Sequence, residues 1–298
     1  MGTPFMGKLN ALLLAGAVAF GAIGSAHAAD LPYPPPIEPI APEPVDFGGW
    51  YLRGDVGVGS SLRPDIRSSF DANVTVPNPR FDERQLGDSA FVGGGVGYQL
   101  NNFLRFDATG EYRTAQSYNA SESYNSGYFN TPRDNTRSYD LYTGQVQSTV
   151  ALANVYVDAF HFHRATLFFG GGIGASFNRV AGLTDVGVGG TNQGFGYARE
   201  RSNASLAYQG TVGLAYDITP NAKLEIAYRY LDMGDVRSGA INCQNTSTCP
   251  HEVQKIGLAS QDVKIGMRWL FADVPEVAPA PAPYYPPPPP AAPLVRKY

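Results

Sequence analysis

Charge is scarce in this sequence: 16% of its residues are Asp, Glu, Lys or Arg, against about 25% in soluble globular domains. Polar character must come from uncharged side chains and backbone. The 22 cations and 26 anions leave a net charge of −4, which excludes the basic footprint of a nucleic-acid binder. Long apolar runs are also missing. The longest, Ala11 to Ile23, has 13 residues, short of the roughly 20 that a membrane-spanning helix needs, so no such helix is expected. Cysteine is limited to Cys243 and Cys249. Neither stands where a cleaved leader could be lipidated, which excludes a lipoprotein.

Proline is nearly absent from the middle of the chain and crowded at its ends. Residues 32 to 44 hold 7 Pro and residues 275 to 293 hold 10, while residues 45 to 271 hold six. Both crowded segments should be extended, polyproline-like and without a core. The first 28 residues read as an export signal, with Lys8 before the apolar run and the small-x-small sequence Ala26-His27-Ala28 placing cleavage between Ala28 and Ala29. The expected organisation is a signal peptide (1–28), a proline-rich linker (29–46), one folded domain (47–271) and a proline-rich C-terminal tail (272–298).

Within the domain, apolar and polar residues alternate with period two, the mark of strands with two unlike faces. In one segment Leu104, Phe106, Ala108, Gly110 and Tyr112 share a parity, and Arg105, Asp107, Thr109, Glu111 and Arg113 share the other. Eight such segments are predicted: 48–60, 89–100, 103–113, 145–157, 165–178, 204–217, 223–233 and 260–271. The fourth is ambiguous in register. Asn154 and Asp158 turn even-numbered residues toward the polar face, but Val150 and Leu152 share that parity.

Alternation fits either a soluble carrier with its apolar face inward or a membrane barrel with that face outward. Connection lengths favour the membrane barrel. Long segments (61–88, 114–144, 179–203, 234–259) alternate with short ones (101–102, 158–164, 218–222), as outer loops alternate with periplasmic turns in outer-membrane barrels. Aromatic residues sort by height in the same sense. Trp50, Tyr98, Tyr216, Trp269 and Phe271 fall at the periplasmic ends of the apolar parity, and Tyr112, Phe177, Tyr208, Tyr228 and Tyr230 toward the outer ends. Amphipathic rings prefer the two bilayer interfaces. The predicted fold is all-β: an eight-stranded antiparallel up-and-down transmembrane barrel in the outer membrane, with both termini periplasmic.

Three runs carry a family resemblance: Gly49-Trp50-Tyr51-Leu52-Arg53-Gly54-Asp55-Val56-Gly57, Asn154-Val155-Tyr156-Val157-Asp158, and Tyr228-Arg229-Tyr230-Leu231-Asp232-Met233-Gly234-Asp235. With Ala29-Asp30-Leu31-Pro32, they resemble the small outer-membrane surface antigens of Gram-negative bacteria, related to the OmpA barrel and often labelled porin family. The resemblance spans residues 29 to 271 and concerns the fold, not an activity. It implies a structural role in envelope integrity and surface contact, with outer-membrane lipids, lipopolysaccharide and the barrel-assembly machinery as partners. It also implies an assembly signal in Trp269 and Phe271, because assembly in this family depends on a final strand ending in an aromatic. Here a further 27 residues follow Phe271. By likeness to the linker in OmpA, that tail would reach peptidoglycan or a periplasmic protein.

Several groups could carry chemistry. The polar face gathers Arg53, Asp55, Arg105, Asp107, Glu111, Arg113, Asp217, Lys223, Glu225, Arg229, Asp262, Lys264 and Arg268. Paired carboxylates or an ion-selective constriction would use them, but the near-neutral balance favours a salt-bridged plug, since eight strands enclose only enough space for side chains to fill. Gly93-Gly94-Gly95 and Gly170-Gly171-Gly172 lack the Lys-Ser/Thr and the helix of a phosphate loop. His161 and His163 could bind a metal or serve a lipid hydrolase, yet no activating Ser accompanies them. Cys243, Cys249 and His251 would make three-quarters of a zinc site; the fourth ligand is lacking and a disulfide is the better reading. Relatives that bind hemin direct attention to Tyr118, Tyr124, Tyr128, Tyr139 and Tyr142. The sequence thus predicts a non-enzymatic structural barrel without cofactor or metal, with a narrow porin or hemin receptor as the alternative.

Overall fold

The computed structural model describes residues 48–69, 79–125, 137–189, 194–244 and 251–271. The signal-peptide segment, its cleavage point and both proline-rich tails lie outside them. Eight long strands form the wall: β1 (Gly49–Ser61), β4 (Ser89–Gln99), β5 (Leu104–Arg113), β7 (Arg137–Phe162), β8 (Ala165–Val188), β10 (Arg201–Asp217), β11 (Ala222–Arg237) and β13 (Gln254–Leu270). Every pairing is antiparallel, and the series runs β1–β4–β5–β7–β8–β10–β11–β13 and returns to β1. Each wall strand has two neighbours, so the ring leaves no edge in the zone where water cannot satisfy one.

Five short strands extend the wall at one end: β2 (Ile66–Ser68), β3 (Arg80–Leu86), β6 (Gln116–Asn125), β9 (Phe195–Ala198) and β12 (Ile241–Cys243). β6 bridges β3 and the first half of β7, β9 joins β8 to β12, and β2 pairs with β13. Much of what the sequence pattern assigned to long outer connections is therefore strand. β7 and β8 run 26 and 24 residues, about twice the 9 to 11 that cross a bilayer. The pattern misses this extension because bulges break its period. Opposite Gly144 of β7 the register of β8 slips between Ala181 and Thr184, where Gly182 has φ of 61°. Buried residues of β8 change there from even (Asn178, Val180) to odd (Leu183). β11 does the same at Gly234, φ 66°. A left-handed conformation suits glycine, which has no Cβ to clash.

At the opposite end the turns are tight. Asn101 Oδ1 accepts from the backbone N–H groups of Phe103 and Leu104 at 3.1 and 2.8 Å. Thr219 Oγ1 accepts from Ala222 N at 2.9 Å. β7 continues through Phe162, so His163 and Arg164 alone make the third turn, not the whole of residues 158–164. The ten aromatics assigned to two girdles all point outward and are exposed on the wall, and Trp50 meets Tyr98 edge to face at 5.4 Å.

The fourth predicted segment, now part of β7, resolves in favour of even-numbered residues inward over its whole span: Val146, Val150, Leu152, Asn154, Tyr156 and Asp158 are all buried. The inner surface itself changes character with height. Charged groups line it between the girdles. Above them lies an apolar cluster that includes Val146, Val180, Leu183, Met233 and Ile256 and reaches down to Val150, opposite Glu111.

Candidate functional site: the charge network inside the wall

Period-two geometry sends Arg53 and Asp55 of β1, Arg105 and Asp107 of β5, and Glu225 and Arg229 of β11 into one narrow interior. There they form two connected groups. In the group nearer the turns, Arg53 grips Asp55 through Nε and Nη2 at 2.9 and 2.8 Å and reaches Asp107 at 2.9 Å and Glu225 at 3.3 Å. Glu225 also takes Arg105 at 3.4 Å and Arg268 at 3.0 Å, so one carboxylate faces three guanidinium groups. Lys264 Nζ lies 3.5 Å from Asp55.

In the second group Asp262 accepts from Arg113 at 2.8 and 2.9 Å and from Arg229 at 2.6 Å. Glu111 lies 3.0 Å from Arg113 and 2.7 Å from Arg229. Uncharged amides link the groups: Arg229 donates to Gln209, Gln209 to Asn154, and Asn154 to Asp107. Aromatic faces supply the rest of the packing. The Arg105 guanidinium is stacked between Tyr156 (4.2 Å) and Phe168 (4.7 Å), while Arg113 and Arg229 flank Phe91 at 4.9 and 4.8 Å.

Eleven of the thirteen residues assigned to the polar face are in these groups. Lys223 and Asp217 are not: they pair with each other at 2.8 Å near the turn end, where both side chains are partly exposed. Asp158, assigned by sequence to a turn, instead belongs inside, 3.2 Å from Arg105 and 3.9 Å from Arg268. Its even parity with Asn154 was the signal. Tyr51, Asn154, Tyr156 and Gln209 were not singled out for the network, because a buried tyrosine or amide reads from sequence like any other wall residue.

Inner-face glycines serve this packing, Gly170 and Gly172 of the second triplet among them. A Cβ on Gly97 would overlap Tyr51, on Gly170 Tyr156, on Gly172 Asn154, and on Gly59 both Arg113 and Asp262. Inner-face glycines therefore leave room for long side chains lying across the neighbouring strand.

The other candidates are dispersed. Tyr118 and Tyr142 are buried in the apolar half with their hydroxyls engaged, Tyr124 is buried, Tyr139 faces outward, and Tyr128 lies outside the described residues. Tyr118, Tyr124 and Tyr142 are therefore not the exposed loop tyrosines that a hemin site would use. His161 is exposed next to the third turn, and His251 precedes β13 with φ of 53°. Among the described residues no three His, Cys, Asp or Glu side chains are placed to hold a metal ion. Cys243 ends β12, and Cys249 lies outside the described residues. Trp269 and Phe271 face outward at the end of the last wall strand.

A closed antiparallel ring with an apolar, aromatic-bordered exterior and a charged interior defines the class: a small outer-membrane β-barrel. The chain belongs to the surface antigen family, whose model matches residues 61–271. An uncharacterized Brucella suis protein is 30% identical over 225 residues, covering 70% of this chain and 76% of that one. A Rickettsia felis protein provisionally named an adhesin is 24% identical over 208 residues, covering 68% and 81%. Among solved structures, Pseudomonas aeruginosa OprG is similar at 13% identity and a TM-score of 0.42, over 76% of this chain and 98% of that one. Neisserial surface protein A is similar at 16% and 0.32, over 76% and 99%. Family membership places the protein in the outer membrane.

Proposed function

We propose that the protein is a non-conducting, non-catalytic barrel that supports the envelope and holds a structured platform outside the cell for surface contact. The charge network carries this reading. Its six cations (Arg53, Arg105, Arg113, Arg229, Lys264 and Arg268) face six carboxylates (Asp55, Asp107, Glu111, Asp158, Glu225 and Asp262) in a side-chain-filled interior. Opposed charges that satisfy one another leave neither a polar passage nor a poised acid or base. The extended strands supply the platform, and the adhesin name of the Rickettsia relative agrees with it.

Planar-bilayer conductance of the refolded protein, alongside gel mobility with and without heating, tests this reading. A heat-dependent mobility shift without steady channels is expected. Large, stable channels would move the narrow-porin reading to first place.

The same reading assigns roles to the chain ends, the last wall strand and the cysteine pair. Residues 1–28 export the chain and are cut off between Ala28 and Ala29. Trp269 and Phe271 present the strand end that the barrel-assembly machinery reads, and Cys243 and Cys249 form a disulfide in the oxidising exterior. The outer face contacts lipid and lipopolysaccharide, and the proline-rich tails reach peptidoglycan or a periplasmic protein. Deleting residues 272–298 should then leave insertion intact while Phe271→Ala impairs it. Failure of the truncated protein to reach the outer membrane would assign assembly to the tail.

A further inference from the structure

Above the upper girdle the interior is apolar, yet four carboxyl groups meet in one layer of it. Glu122 of β6 stands directly opposite Asp140 of β7, and Tyr142 of β7 directly opposite Asp185 of β8. Asp140 and Asp185 are therefore diagonal neighbours on the inner face. Glu252, just before β13, joins the layer through Tyr142, whose hydroxyl lies 2.8 Å from Glu252 Oε2 and 3.2 Å from Glu122 Oε2. One hydroxyl has one proton to donate, so it cannot donate to both carboxylates at once.

Neutral hydrogen-bonding side chains border the layer. From β2, Ser68 donates to Glu252 at 2.8 Å; from β13, Gln254 approaches it at 3.4 Å and accepts from Tyr118 of β6 at 2.9 Å. Tyr124 of β6 is buried alongside. Among the described residues, Arg84 of β3 lies over Phe81 at 5.5 Å, and Arg137 of β7 donates to Ser123 and Asn125. Asp82 of β3 accepts from Ser123. Like charges directly across a strand pair are destabilising, and more so when water is excluded.

We propose that this carboxyl layer makes the extracellular half of the barrel proton-responsive, its strands locked together in acid and loosened as the medium turns mildly alkaline. The device does not depend on the surface-contact reading. Asp140 lies nine residues beyond Thr149, the partner of Tyr112 in the upper girdle, so it is well outside the bilayer zone. Burial and Glu252 push its carboxyl up to about 7, and burial with Asp140 and Glu252 pushes Asp185 up to about 8. An unfolded Asp titrates near 3.9. The fold therefore binds protons that the opened state releases, and the stability they confer is complete below pH ~4 and is lost as pH rises through 7 to 8.

Hydrogen exchange of the full-length protein in detergent micelles, compared with D140N/D185N, tests the device, with amides of β1 and β4 as internal reference. Between pH 5.5 and 8.5, exchange in β6 and the adjoining parts of β7 and β8 should accelerate at least about tenfold more in the wild type than in the variant. An equal response in the two proteins would overturn the proposal. Infrared spectroscopy of the wild type gives a second readout if the variant does not fold. A protonated-carboxyl band present at pH 6 and gone at pH 9 is expected, and its absence at pH 6 would equally refute the device.

Discussion

The two halves of this barrel share strands and an inner face but not an interior. Low on β7 Asn154, Tyr156 and Asp158 turn inward among the charges; higher on the same strand the inward residues are Leu152 and Val150, beside Thr109 and Glu111, and then Val146. The outer face changes in the opposite sense, from Ala153, Val155 and Val157 in lipid to Gln145 and Thr143 beyond it. The medium accounts for both changes. Lipid rewards an apolar exterior and gives no drive to bury apolar groups inside, so the interior can be polar if every charge is met. Where water replaces lipid, the wall must be held by an apolar core like that of any soluble domain. Each half should therefore break by a different kind of substitution.

The largest effect is expected at Glu225, which faces Arg53, Arg105 and Arg268. Removing one member of a buried charge group costs about 3–5 kcal/mol because its partners stay buried. Glu225→Ala should lower the urea midpoint for the membrane half and raise bilayer leakage. In the half beyond the upper girdle the counterpart is Met233→Ala, in the apolar cluster, at about 2–5 kcal/mol. That variant should be cleaved faster by added protease while keeping its heat-dependent gel shift. If both variants produced the same pattern, the halves would be one cooperative unit.

Outward substitutions sharpen the comparison. Ala108 faces lipid between the girdles, whereas Leu141 faces outward from the extended part of β7. Arg near the bilayer midplane costs about 2–4 kcal/mol, while a surface change in water stays within about 0.5 kcal/mol. Ala108→Arg should impair folding into vesicles and Leu141→Arg should not. Equal damage would put the lipid boundary in the wrong place. A smaller effect is expected at Gly182, where a Cβ meets nothing within 4 Å and the cost comes from the backbone alone. Gly182→Ala should cost about 1–2 kcal/mol, detected as faster exchange confined to upper β7 and β8.

How much was legible follows from the same contrast. Alternation in the membrane half is sharp because its two faces meet lipid and charge, so facing, girdles and most of the charge network could be read from Arg53, Asp107, Glu225 and their neighbours. In the half beyond the upper girdle both faces mix Ser, Thr, Asn and Tyr, and Gly182 and Gly234 each shift the parity by one. A fixed period of two then sees loops where there is sheet. Val150 and Leu152 looked like a contradiction because a polar lumen was assumed to run the full height of the strand. Lys223 was overassigned for a related reason: parity gives direction but not depth, and near the turns an inward side chain is already in water.

The smallest expected effect is a gain, and it concerns the turn end that both halves leave untouched. His163 occupies the first position of a two-residue turn at φ of 52°, in the left-handed region that costs a non-glycine residue about 1–2 kcal/mol. Its ring is exposed, so little packing is lost with it. Glycine removes the backbone cost but gives the unfolded chain more freedom, which offsets part of the benefit. His163→Gly should therefore stabilise the barrel by a few tenths to about 1 kcal/mol, read as a small rise in the urea midpoint with unchanged slope. A drop in the midpoint would mean that the imidazole has a role at the turn end that its exposed position does not reveal.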